Sequence, residues 1–150
     1  MKSLISTTLM LLQLACVIPS ARAADSPDEA GIRQVLMTTF DKPEARMQVE
    51  PIVVQAEHAV AGWIQGERGG RALMRREGRD WSIVMCGGDG LKDPQALAMA
   101  GIEPAAARAL VQRLNAAEAS LTPAKRARFA SFEGMVHMDA HGKHPPAGHH

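Results

Sequence analysis

Apolar positions recur first at helical spacing, then at a period of two, then at helical spacing again. Ile32, Val35, Leu36, Thr39 and Phe40 fall on one face of a helix. Ahead of them, Ser26 can cap, Pro27 suits the first helical position, and Glu29 completes a Ser-x-x-Glu box. Asp41-Lys42-Pro43 stops this helix near residue 41. From Met47 to Gly87 four strands are predicted: Val49 to Gln55, His58 to Gln65, Gly70 to Arg76 and Asp80 to Cys86. Pro51 belongs at an edge or a bulge of the first. In the fourth, Trp81, Ile83 and Met85 share one face, and Ser82, Val84 and Cys86 the other. Tight turns at Ala56-Glu57, Gly66 to Gly69 and Glu77-Gly78 make the four an antiparallel meander.

Helical signals return after Gly87-Gly88-Asp89-Gly90. Asp93 and Pro94 open a short helix that Gly101 ends. Pro104 opens a longer one, with Ala107, Leu110, Val111, Leu114 and Ala117 on one face, and Thr122-Pro123 starts a last segment carrying Phe129 and Phe132. The expected architecture is α+β: an N-terminal helix, a four-stranded antiparallel meander, and C-terminal helices packed on one face of the sheet. It fills a single domain, residues 24–133. Beyond Gly134 the apolar period vanishes, and Gly142, Pro145, Pro146 and Gly148 predict a flexible, disordered tail over 134–150.

The N-terminus changes the setting. Met1-Lys2, an apolar run from Leu4 to Ile18 and the box Ala21-Arg22-Ala23 form a secretory signal, residues 1–23, too short for a membrane span. Cleavage before Cys16, with a lipid anchor on it, is the rival, but Gln13 stands where an aliphatic residue belongs. No second long apolar run follows, so no transmembrane segment is expected. Without Lys2 and Arg22, the 17 basic side chains become 15 against 16 acidic ones. That balance gives no sign of nucleic acid or an anionic membrane as a partner. Arg68, Arg71, Arg75, Arg76 and Arg79 cluster locally, interleaved with Glu67, Glu77 and Asp80.

Candidate chemistry concentrates at the C-terminus. Five of the six histidines lie in residues 135–150, with two methionines beside them. Met135, His137 and Met138 fall within four residues, His141 and His144 follow at three-residue spacings, and His149-His150 close the chain. Imidazole with thioether suits copper, Cu(I) before Cu(II), while imidazole alone also takes zinc or nickel. Against this stands a solvated tail that is merely rich in histidine, and Met135 and Met138 can also pack as the end of the core, Met135 before Met138. After cleavage Cys86 is the one remaining cysteine. It reads as a small buried core residue, with a bridge to another chain or a Cu(I) ligand role as alternatives.

Other features have plain readings. Gly87-Gly88-Asp89-Gly90 lacks phosphate-loop spacing and serves as a connection. His58 is a surface residue, and Trp63 and Trp81 belong to the core. Ser82 and Cys86 have no identifiable base, so no enzyme is expected.

Four blocks carry a resemblance: Ile32-Arg33-Gln34-Val35-Leu36-Met37-Thr38-Thr39-Phe40-Asp41-Lys42-Pro43-Glu44-Ala45, Ala61-Gly62-Trp63-Ile64-Gln65-Gly66-Glu67-Arg68-Gly69-Gly70-Arg71-Ala72-Leu73, Cys86-Gly87-Gly88-Asp89, and Phe129-Ala130-Ser131-Phe132-Glu133-Gly134. Across most of the mature chain they resemble small exported bacterial proteins described as copper uptake system-associated. The resemblance implies a periplasmic setting and a role beside copper import or delivery, and no catalytic residue. The expected function is a periplasmic copper-binding accessory or chaperone. Its partner would be a copper transporter or metallochaperone of the cell envelope. The alternatives are an interaction module of such a system with an incidental tail, and a small enzyme using a cavity between helix and sheet.

Overall fold

The Ser26 hydroxyl accepts the Glu29 N–H at 3.3 Å, and the Glu29 carboxylate accepts the Ser26 N–H at 2.7 Å. This capping box starts helix α1, Pro27–Phe40. It opens the computed structural model, which describes residues 24–139. The chain is α+β, one antiparallel sheet with four helices. The strands are β1 (Met47–Gln55), β2 (His58–Gln65), β3 (Arg68–Glu77), β4 (Asp80–Gly87) and β5 (Met135–His137), paired in chain order. The helices α2 (Pro94–Met99), α3 (Pro104–Ala119) and α4 (Pro123–Ala130) start at the expected prolines, behind the caps Asp93, Glu103 and Thr122. A 3-10 helix, Asp89–Lys92, leads into α2.

Two expectations are corrected. The sheet has five strands, not four, and the residues after Gly134 begin with a strand. Met135, Val136 and His137 pair with Gly87, Cys86 and Met85. Three residues are too few to show a period, and the backbone groups that hold them are supplied by β4.

The C-terminal helices lie on one face as expected, and α1 takes the other. Helices cover both faces of the sheet. α1 packs on β1 and β4, with Ile32 and Leu36 set among Ala59, Ala61, Met74 and Trp81. α3 packs on β1 and β2 across the opposite face, with Leu110 and Leu114 among Val53, Val60 and Leu73. β2 therefore buries consecutive residues, Ala59 through Gly62, which is how a strand covered on both sides reads.

Bulges adjust the faces. β1 shifts register between Val49 and Ile52, around the cis bond Glu50-Pro51. On β4, Met85 pairs with Leu73 and Ile83 with Met74, so Val84 is an extra residue. Trp81 and Ile83 therefore face α1, whereas Met85 joins the α3 core and Cys86 returns to the α1 side. The expected grouping of Trp81, Ile83 and Met85 fails at that bulge.

Arg71 leaves the other clustered arginines and points into the α3 side. It and Glu118 of α3 are each 1% exposed. Arg71 Nε and Nη2 donate to the two Glu118 oxygens at 2.6 and 2.9 Å. Nη1 donates to Asp89 at 3.1 Å, and Lys92 donates to Glu118 at 3.2 Å. The guanidinium lies 5.5 Å from the centre of the Phe129 ring. Gly62, the cross-strand neighbour of Arg71, leaves room for that ring: a Cβ there would lie 2.9 Å from Phe129 Cζ and 2.8 Å from the Glu50 carbonyl. Gly62→Ala should cost about 1–3 kcal/mol in urea unfolding, because backbone as well as ring must shift.

Burial alone would raise the Glu118 pKa. The hydrogen bonds and charge of Arg71, then of Lys92, outweigh it and hold the carboxyl below the ordinary glutamate range. The folded value lies below the unfolded one near ~4.3. This contribution is thus complete above the unfolded value and is lost as pH falls through the folded value. Glu118→Gln should cost about 3–5 kcal/mol at neutral pH by leaving Arg71 buried without its counter-charge. It should also flatten the acid limb of the stability-versus-pH curve. An unchanged acid limb in the variant would contradict the assignment.

Candidate functional site

β5 decides how the first tail donors are presented. Pairing with β4 fixes Met135 opposite Gly87, Val136 opposite Cys86 and His137 opposite Met85. The Met138 N–H donates to the carbonyl of the bulged Val84 at 3.0 Å and prolongs the register. Successive side chains in a strand point to opposite faces. Met135 and His137 therefore stand together, both exposed, with Met135 47% exposed. The Met135 side chain lies over the connection after β4, its Sδ 3.2 Å from where a Cβ on Gly90 would sit. Met138 turns the other way, half-buried against the α1-side core, so Met138 and not Met135 joins the core, the reverse of the expected order.

The structure thus brings Met135 and His137 together and separates Met138 from them. Met138 instead shares its surroundings with Cys86. His141, His144, His149 and His150 lie outside the described residues. Among the described residues no three His, Cys, Asp or Glu side chains are grouped to hold a metal ion. His58 sits at the start of β2, opposite Arg75. Burial first, then the Arg75 charge, lowers its pKa against the opposing pull of Glu57.

Cys86 is free and 7% exposed. Burial pushes its thiol up to about 11. It opens onto a cavity of about 460 Å³ on the α1 side of the sheet, which the sequence alone did not reveal. Phe40, Met47, Trp63, Phe132, Val136 and Met138 form the apolar walls, and Thr39, Lys42, Gln65 and Arg68 are the polar lining groups. Trp63 and Phe132 meet edge to face, ring centres 6.0 Å apart. The Gln65 amide donates to the Phe40 and Ala45 carbonyls at 2.7 and 2.8 Å, which pins the end of α1 beside β2. The signal in the sequence is the pair Gly69-Gly70. A Cβ on Gly70 would lie 2.9 Å from the Trp63 ring and 3.1 Å from Phe132, so only glycine lets the two rings meet there.

The run Gly87 to Gly90 serves packing. A Cβ on Gly88 would lie 2.4 Å from the Phe132 carbonyl oxygen, so the chain leaving α4 passes directly against it. No helix among the described residues is long and apolar enough to cross a membrane. Comparison of the chain with protein-family models, with curated proteins and with solved structures finds no match.

A thiol held up to about 11 is protonated at neutral pH and a poor nucleophile. Iodoacetamide should therefore alkylate Cys86 slowly in the native protein and at the rate of an ordinary thiol in denaturant. Fast native alkylation at neutral pH would contradict the buried, protonated state.

Proposed function

We propose that the chain is an exported, periplasmic copper-binding accessory protein or chaperone without catalytic activity, which captures copper at its C-terminus and passes it to a transporter or metallochaperone of the cell envelope. The observation that carries this reading is the clustering of imidazole and thioether donors after residue 134. Met135 and His137 are exposed side by side on β5, immediately before a segment with four more histidines. Thioether favours Cu(I), and imidazole extends the set to Cu(II), with zinc and nickel as weaker competitors. The resemblance to copper uptake system-associated proteins supports the same reading, and the N-terminal signal supports export. Weak, exchangeable donors suit transfer by ligand exchange.

Met138 has a different role from Met135. It lines the cavity beside Cys86, so its thioether serves packing first. The competing reading, an interaction module with an incidental tail, draws on β5 as a three-residue strand with no further strand beside it among the described residues.

Copper titration separates the two. Removal of residues 135–150 should leave the rest of the domain folded and abolish most Cu(II) and Cu(I) binding by the chain from residue 24 onward. Substituting His137, His141 and His144 together should weaken Cu(II) and zinc most, and Met135→Leu should weaken Cu(I) more than Met138→Leu does. Affinity should fade as pH falls through the imidazole range near ~6.5, because protonated imidazole does not ligate. Unchanged copper stoichiometry in the truncated chain would defeat the proposal and leave the interaction module.

A further inference from the structure

The cavity on the α1 side has a composition that selects its ligand. Its volume of about 460 Å³ lies within the ~300–1,000 Å³ range of small-molecule sites. Its walls are aromatic and thioether carbon. Its two neutral polar groups are already engaged: Thr39 Oγ1 donates to the Val35 carbonyl at 2.8 Å, and the Gln65 amide holds two backbone carbonyls. The polar groups left over are Lys42 and Arg68, both exposed. Neither makes an ion pair with any of the described residues.

A second depression, of about 310 Å³ beside the start of α4, makes the contrast. It also carries cations, Arg46, Lys125 and Arg128. There each has a carboxylate partner: Asp41 for Arg46 at 2.8 Å, Glu67 for Arg128 at 3.4 Å, and Glu50 for Lys125. In the larger cavity neither cation is within ion-pair distance of a carboxylate among the described residues, although Glu67 and Glu133 line the depression next to it that Arg68 also borders.

We propose that this cavity binds a small amphiphilic carboxylate, its hydrocarbon body against Trp63, Phe132 and Met138 and its head group at Lys42 and Arg68. Burial of the body supplies the affinity, and the two cations select an anionic head over a neutral one. The neutral donors of the wall, the Thr39 hydroxyl and the Gln65 amide N–H groups, are spent on backbone carbonyls, which leaves little to reward the many hydroxyls of a sugar. This site does not rest on the copper reading: its occupant touches Val136 and Met138 of the C-terminal segment and needs neither Met135 nor any histidine.

Trp63 lines the cavity, and the other tryptophan, Trp81, lies under α1 beside Arg76. Trp63 emission in the full chain carrying Trp81→Phe is therefore the reporter. Decanoate should give a saturable change, decanol a change about tenfold weaker in affinity, and acetate none. Arg68→Gln and Lys42→Gln should each weaken decanoate about threefold, and together about tenfold, with decanol unaffected. Both side chains are exposed, so these variants fold. Val136→Phe, which intrudes into the cavity from β5 without adding a second indole, should weaken decanoate strongly. No saturable signal with decanoate, equal affinity for decanol, or full affinity in the double variant would each overturn the proposal. The chain lacking 140–150 should keep decanoate binding, which separates a failure here from a failure of the copper reading.

Discussion

The pair formed by Arg71 and Glu118 ties more of this fold together than any other contact. Two buried charges cost several kcal/mol each in lost hydration, and only tight geometry offsets that. Here the guanidinium presents two parallel donors to one carboxylate, a third to Asp89, and its face to Phe129. One side chain on β3 thereby locates α3, the 3-10 helix and α4 at once. Apolar contacts alone would let those three elements slide over the flat face of β2 and β3. The pair fixes their register, because any displacement leaves a charge buried without its partner.

The sheet makes that arrangement possible through its irregularities. With strict alternation, β4 would send Met85 to the same side as Trp81 and Ile83, and the α3 core would lose a large residue opposite Leu73. The extra Val84 redirects Met85 and also offers its carbonyl to Met138. On β1, the shift at Pro51 lets Val49 serve the α1 side and Val53 the α3 side. β1 is an edge strand, and three of its backbone groups are taken up by side chains. Arg33 donates to the Val49 carbonyl, Arg113 to the Val54 carbonyl at 2.8 Å, and the Met47 N–H is accepted by Asp41 at 2.6 Å. Those partners, with α1 and α3 alongside, leave little of this edge open to a further strand.

Local rules made much of this legible from the residues alone. Ser26 with Glu29, Asp93-Pro94, Pro104 and Thr122-Pro123 mark helix starts through hydrogen bonds made within three residues. Glycines with positive φ at Gly66 and Gly78 set the turns of the meander. What stayed hidden depended on distant partners. Arg71 looked like one of five clustered arginines, and only Glu118, far along the chain, draws it inside. The apolar run Ala59 to Trp63 held the sign of a strand covered on both faces, but a short apolar run does not say which helices cover it. The donors Met135, His137 and Met138 were legible as a group by composition. Their division between two faces follows from pairing with β4, which no local pattern in three residues can announce.

That division gives β5 two duties. On one side it holds Met135 and His137 out to solvent; on the other, Val136 and Met138 wall the cavity that Cys86, Trp63 and Phe132 complete. Two chemistries, one of soft donors and imidazole and one of hydrocarbon with cations, are thus separated by the thickness of a single strand. The strand is held by three residue pairs, the Met138 hydrogen bond and the packing of Val136 and Met138, so it ranks among the least secured elements of the sheet. An occupant of the cavity packs against Val136 and Met138 only while β5 is docked, and it therefore favours the docked register. Docking is also what aligns Met135 with His137, because the alternation of side chains exists only in the extended, paired backbone. Filling one face of β5 and ordering the donors on the other are thus coupled through the same few backbone hydrogen bonds.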